Sequence, residues 1–247
     1  MSATAHNFIP ARSAGAQESI DKLMGLAIFG EKVAAQIYLR MSELKPEYSP
    51  LLRKFAQMEA QHVAWFTEVS RVNNINPDKA FADNELGYLL SQVAEHYQAK
   101  DFDALAIVQG FIVESLAIAT YESFLTIADG YEGAHAVFAK ALAEENYHVD
   151  WVIRYLRLRF FDSTEEFRKL AERVNVQGVD CIGGTMMNIA DYLNTIGMSG
   201  ADCAGAMMNG YTELLEAIGF ESRAATKHVM GMFLPLIQKY RRGEKTK

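Results

Sequence analysis

From Ile20 onward, apolar side chains at Leu23, Met24, Ile28, Val33, Ala34 and Tyr38 recur at steps of three and four residues. That is the period of one face of an α-helix. The same spacing runs through most of the chain, and no convincing alternating strand interrupts it. Turn chemistry divides the pattern into helices. "ELKPEYSP" separates a helix over roughly 16–44 from one over roughly 49–73, with Ser49 as N-cap and Pro50 at the first helical position. "NNINPD" closes the second helix, and a third covers roughly 79–99. "AKDFD" leads into a fourth over roughly 101–129, and "DGYEG" into a fifth over roughly 132–160. "DSTEEF" reads as the capping segment of a further helix. "NVQGVDCIGG" is expected to break the chain, and "GMSGAD" and "AIGFES" to turn it. The last ~85 residues then hold three or four more helices.

The five prolines leave long stretches rich in Ala, Leu, Glu, Lys, Met and Gln, which favour helix. With no low-complexity linker and no charge block, the expectation is one all-α domain spanning residues 1–247. Tails over about 1–15 and 243–247 are expected to fray.

Half of the 247 residues are apolar and about a fifth are charged, an ordinary globular balance. A net charge of −7 argues against nucleic acid or an anionic membrane as partner. Cys181 and Cys203 are too few and too far apart for a zinc or redox motif. Such sparse cysteine fits a reducing compartment. The N-terminus lacks the apolar segment of a secretory signal. No apolar run reaches the ~18 residues of a membrane span. These readings point to the cytoplasm and to no transmembrane segment.

Chemistry enters with Glu-x-x-His, which occurs at Glu59–His62, Glu132–His135 and Glu145–His148. Residues three apart share a helix face, so a carboxylate and an imidazole can grip one ion. Two of the pairs have partners. Glu31 lies 28 residues before Glu59 on the preceding helix, and Glu114 lies 31 before Glu145. Counting ~1.5 Å per residue to and from each turn brings the lone and paired glutamates to similar heights in an antiparallel hairpin. Glu114 is the single charge between Phe111 and Thr120. A buried, unpaired carboxylate is very costly, and a metal ion relieves that cost. Glu132 precedes Glu145 by 13 residues, about 220° around the helix, so its pair faces elsewhere. It is expected to be an exposed helix start.

Two lone glutamates and two Glu-x-x-His pairs from four helices form the pattern of di-iron and di-manganese carboxylate bundles. Glu59 and Glu145 are the expected bridging ligands and Glu31 and Glu114 the terminal ones, with His62 and His148. Oxygen ligands with one imidazole per metal suit two iron ions, or manganese. Same-face neighbours give candidate channel residues: Gly30, Ala34, Phe66, Gly110, Phe111, Ala117, Ile118 and Tyr121. Tyr38 and Glu144 are candidate hydrogen-bonding neighbours of the ligands.

The chain resembles the aldehyde-deformylating oxygenases (aldehyde decarbonylases) of the ferritin-like superfamily over roughly 20–235. The resemblance is carried by Gly30–Glu31, "MEAQHVAWF" at Met58–Phe66, "VESLAIATY" at Val113–Tyr121 and "EENYH" at Glu144–His148. "YTELLEAIGFESR" at Tyr211–Arg223 adds a block that no metal requirement explains. The resemblance implies a ferritin-like up-down helical bundle with additional C-terminal helices. It implies a di-iron centre that uses O2 to convert a long-chain fatty aldehyde to formate and an alkane one carbon shorter. It further implies an external reductase such as ferredoxin, and an acyl-ACP reductase supplying aldehyde. The chain departs from the family's usual residues at Gln61, Val69 and Glu144, where arginine, cysteine and aspartate are common. Alternative readings are an oxygenase for another acyl or amine substrate, and an iron-oxidising storage protein.

Overall fold

The computed structural model describes residues 14–242, without the side chains of residues 83, 84, 180–182 and 239–241. Of the expected tails, residues 1–13 and 243–247 lie outside the described residues, as does the side chain of Cys181, while Ala14 and Gly15 already belong to the first helix. Among the described residues all regular structure is helical. α1 is Ala14–Leu44, α2 Ser49–Val72, α3 Lys79–Gln98 and α4 Phe102–Ile107. A π-helical segment, Val108–Val113, leads directly into α5, Glu114–Leu125. α6 is Ala134–Asp162, α7 Thr164–Thr195, α8 Gly200–Ile218 and α9 Ser222–Arg241.

α1 lies along α2, and α5 along α6. These two hairpins pack together as the central bundle, with α3, α7 and α8 laid against it and α9 against α7 and α8. The starts of the helices differ in detail from the expectation. Asp78, Asp101 and Ser199 cap α3, α4 and α8 through side-chain oxygens that accept from Phe81, Ala104 and Asp202 N–H. Ser49 and Ser163 do not. The Ser49 hydroxyl instead accepts from Arg53 Nε at 3.2 Å, and Ser163 offers no side-chain cap bond.

The expected break at "NVQGVDCIGG" is absent: α7 runs unbroken from Thr164 to Thr195. Its glycines serve close packing instead. A Cβ on Gly178 would meet Ile112 Cγ1 and Cδ1 at 2.6 Å, and one on Gly183 would meet Leu236 Cδ2 at 2.8 Å. Glycine costs a helix interior about 1 kcal/mol relative to alanine, so contact with neighbours outweighs propensity here. Gly178→Ala is therefore expected to destabilise the fold by about 1–3 kcal/mol despite its better helix propensity, as read by chemical denaturation. True turns occur where φ is positive, at Gly197 (84°) and Gly219 (123°).

One helix matches a membrane span by length and composition alone. α4, the π segment and α5 form a continuous helix, Phe102–Leu125, whose best window has mean hydropathy 1.7. Its length and composition would suffice to cross a bilayer, yet 78% of that window is buried inside the molecule. A helix enclosed on all sides is apolar all round, and this one forms the centre of the bundle.

Candidate metal centre

The four central helices bring the six predicted residues together. Glu31 comes from α1, Glu59 and His62 from α2, Glu114 from the start of α5, and Glu145 and His148 from α6. None is more than 2% exposed. They form two overlapping sets, Glu31–Glu59–His62–Glu145 and Glu59–Glu114–Glu145–His148, each with its potential ligand atoms within 4.8 Å of one another. Glu59 and Glu145 belong to both sets. His62 Nδ1 lies 3.2 Å from Glu59 Oε2 and 3.2 Å from Glu145 Oε1. His148 Nδ1 lies 3.0 Å from the other oxygen of each, Glu59 Oε1 and Glu145 Oε2. Each shared carboxylate thus turns one oxygen toward each histidine. Of the two histidines, Glu31 approaches His62, at 3.1 Å, and Glu114 approaches His148, at 3.7 Å.

Electrostatics favour an ion at this point. Among the described residues no lysine or arginine pairs with any of the four carboxylates. Both Glu59 oxygens are buried and face the two imidazoles without a well-aligned hydrogen bond. Burial, reinforced by the neighbouring carboxylates, holds Glu59 and Glu114 well above the usual carboxylate range. Burial also works against the charged form of Glu145, but contacts with His148 and His62 outweigh it and hold Glu145 down at about 2. His62 and His148 are raised, because carboxylate contacts overcome the opposing effect of burial. Four buried carboxylates gathered around two imidazoles, with no lysine or arginine among the described residues to balance them, form a donor set whose charge a cation would offset. The donor set therefore fits two metal ions.

A pH effect follows. In the metal-free protein Glu59 and Glu114 retain protons that the unfolded chain has already released. Their stabilising contribution is complete below the ordinary glutamate pKa and is lost as pH rises through their raised values. The metal-free protein is expected to melt lower at about pH 9 than at about pH 5, and the rise in melting temperature on adding metal to grow with pH. Glu145 acts in the opposite sense, but only as pH falls toward about 2, below that window.

Hydrogen bonds hold the ligands in place. Tyr38 Oη donates to Glu114 Oε1 at 2.6 Å, and Tyr121 Oη donates to Glu31 Oε1. Glu144 Oε2 lies 2.9 Å from His62 Nε2, so it orients the histidine of the opposite hairpin and not that of its own helix. Gln109 was not among the expected residues. Its Nε2 donates to Glu114 Oε1 at 2.7 Å across five positions, the spacing of a π-helical turn.

That turn also corrects part of the expected channel. Uniform α-helical arithmetic places Gly110 and Phe111 on the face of Glu114, but the π segment rotates them away. A Cβ on Gly110 would lie 2.4 Å from Val152 Cγ1, and Phe111 packs on Tyr211. Phe66 packs between Tyr121 and Phe138. An apolar pocket does reach the site, lined by Gly30, Ala34, Ala117 and Tyr121 together with Glu31, Glu114 and Glu145. Phe66, Gly110, Phe111 and Ile118 are absent from its wall. Leu23, Leu26, Ala27, Leu86, Leu89 and Ile189 continue it away from the carboxylates. The slot is narrow, with a cavity volume of about 50 Å3.

The third Glu-x-x-His stands apart. Glu132 is exposed, and His135 is 58% exposed and pairs with Asp129 at 2.8 Å. Of the positions that depart from the family's usual residues, Gln61 is exposed, Val69 lines a second apolar cavity, and Glu144 holds His62. Cys203 is buried, with its thiol 3.7 Å from Ala119 O.

Two overlapping carboxylate–histidine sets inside a helical bundle define the class of dinuclear metal–carboxylate proteins. Within that class the chain belongs to the long-chain fatty aldehyde decarbonylase family, whose model matches residues 13–233. Its fold is similar to that of a solved structure described as protein 19 with aldehyde deformylating oxidase activity from Synechococcus. The TM-score is 0.83 at 24% identity, covering 89% of this chain and 98% of that one.

Proposed function

We propose that this protein converts a long-chain fatty aldehyde to formate and an alkane one carbon shorter, using O2 and electrons from outside. The observation that carries the reading is the pocket. It is almost wholly apolar, and it ends on three of the four metal-site carboxylates. An alkyl chain fits that wall, and its aldehyde group would then lie beside the metal ligands.

Glu31 with His62, and Glu114 with His148, would each hold one iron ion, with Glu59 and Glu145 shared between them. Manganese suits the same donors. Bound iron would supply O2 activation and Lewis acidity. The chain's own contribution is geometry. Tyr121 fixes Glu31, Tyr38 and Gln109 fix Glu114, Glu144 fixes His62, and the apolar wall excludes water.

Turning an aldehyde and O2 into alkane, formate and water consumes electrons, so a reductase such as a ferredoxin system is the expected partner. An acyl-ACP reductase is the expected source of aldehyde, and the cytoplasm the expected setting. An iron-storage protein would need a polar route for hydrated ions, and the apolar slot favours a lipid-like substrate instead. The test is to load the purified protein with iron(II), supply a long-chain aldehyde, O2 and a reducing system, and measure alkane and formate together. Iron uptake with neither product would overturn the reading.

A further inference from the structure

Away from the metal centre, α7 and α9 line a larger cleft. Its volume is about 620 Å3, within the roughly 300–1,000 Å3 of small-molecule sites. Two contacts fix how its walls align. Arg168 Cζ lies 5.8 Å from the centre of the Phe220 ring, and a Cβ on Gly183 would meet Leu236 Cδ2 at 2.8 Å. Both contacts join residues 52 or 53 positions apart, so the two helices run in the same direction. That alignment sorts the wall. Arg168, Glu172, Lys227 and His228 lie toward one end, and Met232, Pro235 and Leu236 toward the other, with Val176 level with His228.

The polar end is incomplete as it stands. Arg168 Nε and His228 Nε2 are buried without a hydrogen-bond partner. Among the described residues Arg168, Glu172 and Lys227 form no ion pair. A buried donor left unmet is costly, and folding alone gives no reason to keep two in one cleft. Burial holds the His228 imidazole below its ordinary range, so it is neutral at pH 7. Two cations then face one carboxylate, a local positive excess on a chain of net charge −7.

We propose that this cleft binds a long-chain carboxylate, with its head at Arg168, Lys227 and His228 and its alkyl tail along Val176, Met232 and Leu236. One negative charge balances the positive excess. A phosphate monoester, at about −1.5 to −2, would exceed it. A guanidinium also offers parallel N–H groups to the two oxygens of a carboxylate. Between Ala224 and Leu236 α9 rises about 18 Å, longer than an extended chain of about ten carbons. The slot at the metal centre is a poor competitor in metal-free protein, because it ends on Glu31, Glu114 and Glu145. No metal enters the proposal, which stands apart from the oxygenase reading.

The test is to titrate decanoate into metal-free protein by calorimetry. Saturable binding of one decanoate per chain is expected, with 1-decanol and butanoate each weaker by about tenfold or more. Arg168→Gln combined with Lys227→Gln is expected to weaken decanoate by about tenfold and to leave 1-decanol unchanged. Val176 is 45% exposed, so Val176→Asp is expected to weaken both ligands while the melting temperature holds. Ala117→Phe, which fills the slot, is expected to leave decanoate affinity at the parent value. Absence of saturable binding, parent affinity in the double variant, or loss of binding in Ala117→Phe overturns the cleft assignment. Tighter binding of decyl phosphate than of decanoate overturns the choice of head group. Alkane and formate from iron-loaded parent protein read the oxygenase proposal separately, so either can fail without the other.

Discussion

Glu59→Ala is expected to strip both metal ions from the protein in one step. Its two oxygens face the two histidines, at 3.2 Å from His62 and 3.0 Å from His148, so neither ligand set survives its loss intact. Removing a residue that merely hydrogen-bonds to a metal ligand typically lowers affinity or activity 10–100-fold. A carboxylate shared by both sets should cost more, on the order of 10³-fold in turnover. Stability should move the other way. Metal-free parent protein buries a Glu59 carboxyl among other carboxylates without a well-aligned hydrogen bond, and such a carboxyl is a liability once no ion is present. Metal-free Glu59→Ala is therefore expected to melt at or above the metal-free parent at about pH 8, while gaining nothing when iron(II) is added. Metal analysis paired with thermal denaturation reads both effects. His135→Ala is the control. Its side chain is 58% exposed and far from either set, so iron stoichiometry should stay at the parent value. Equal metal losses in the two variants would contradict the site assignment.

The metal site was legible because its geometry is helical and local. Three-residue spacing fixes which side chains share a face, and hairpin arithmetic fixes their height. Neither depends on how distant helices pack. The same arithmetic failed at Gly110 and Phe111, where the chain departs from α-helix. A π turn adds a residue without announcing itself in composition. The one hint was Gln109, a polar side chain in an apolar run five positions before Glu114. Glycine misled for a related reason. At Gly178 and Gly183 the missing side chain makes room for Ile112 and Leu236 from other helices. Sequence spacing carries no trace of such contacts, so a packing glycine and a helix-breaking one look alike. Gly197 and Gly219 do break helices, and they stand beside Ser199 and Glu221–Ser222, where polar residues start the next helix. The side of Glu144 was likewise hidden. Its rotation from Glu145 is readable, but its partner His62 lies on another helix and becomes visible only after the hairpins meet.

Ala117→Phe should separate substrate binding from metal binding. Ala117 lines the pocket one helical turn from Glu114 and one before Tyr121, so its methyl borders the space nearest the ligands. The slot has a cavity volume of only about 50 Å3, and a benzyl group there would occupy space that the head of the alkyl chain needs. The backbone of α5 and the Glu114 contacts to Tyr38 and Gln109 are untouched by the change. Iron content is therefore expected to match the parent protein. Turnover of a long-chain aldehyde is expected to fall by about 10²-fold or more, since misplacement of a reacting group by about 1 Å already costs that much. Butanal, which needs only the inner part of the pocket, samples the obstruction differently. If the ring lies across the path of the alkyl tail, butanal turnover should fall less than that of the long aldehyde. If both fall equally while iron is retained, the ring blocks the approach of the carbonyl itself, and the pocket still leads to the metal site. A variant that holds its iron and turns over long aldehydes at the parent rate would show that the substrate reaches Glu31, Glu114 and Glu145 by some other way than this slot.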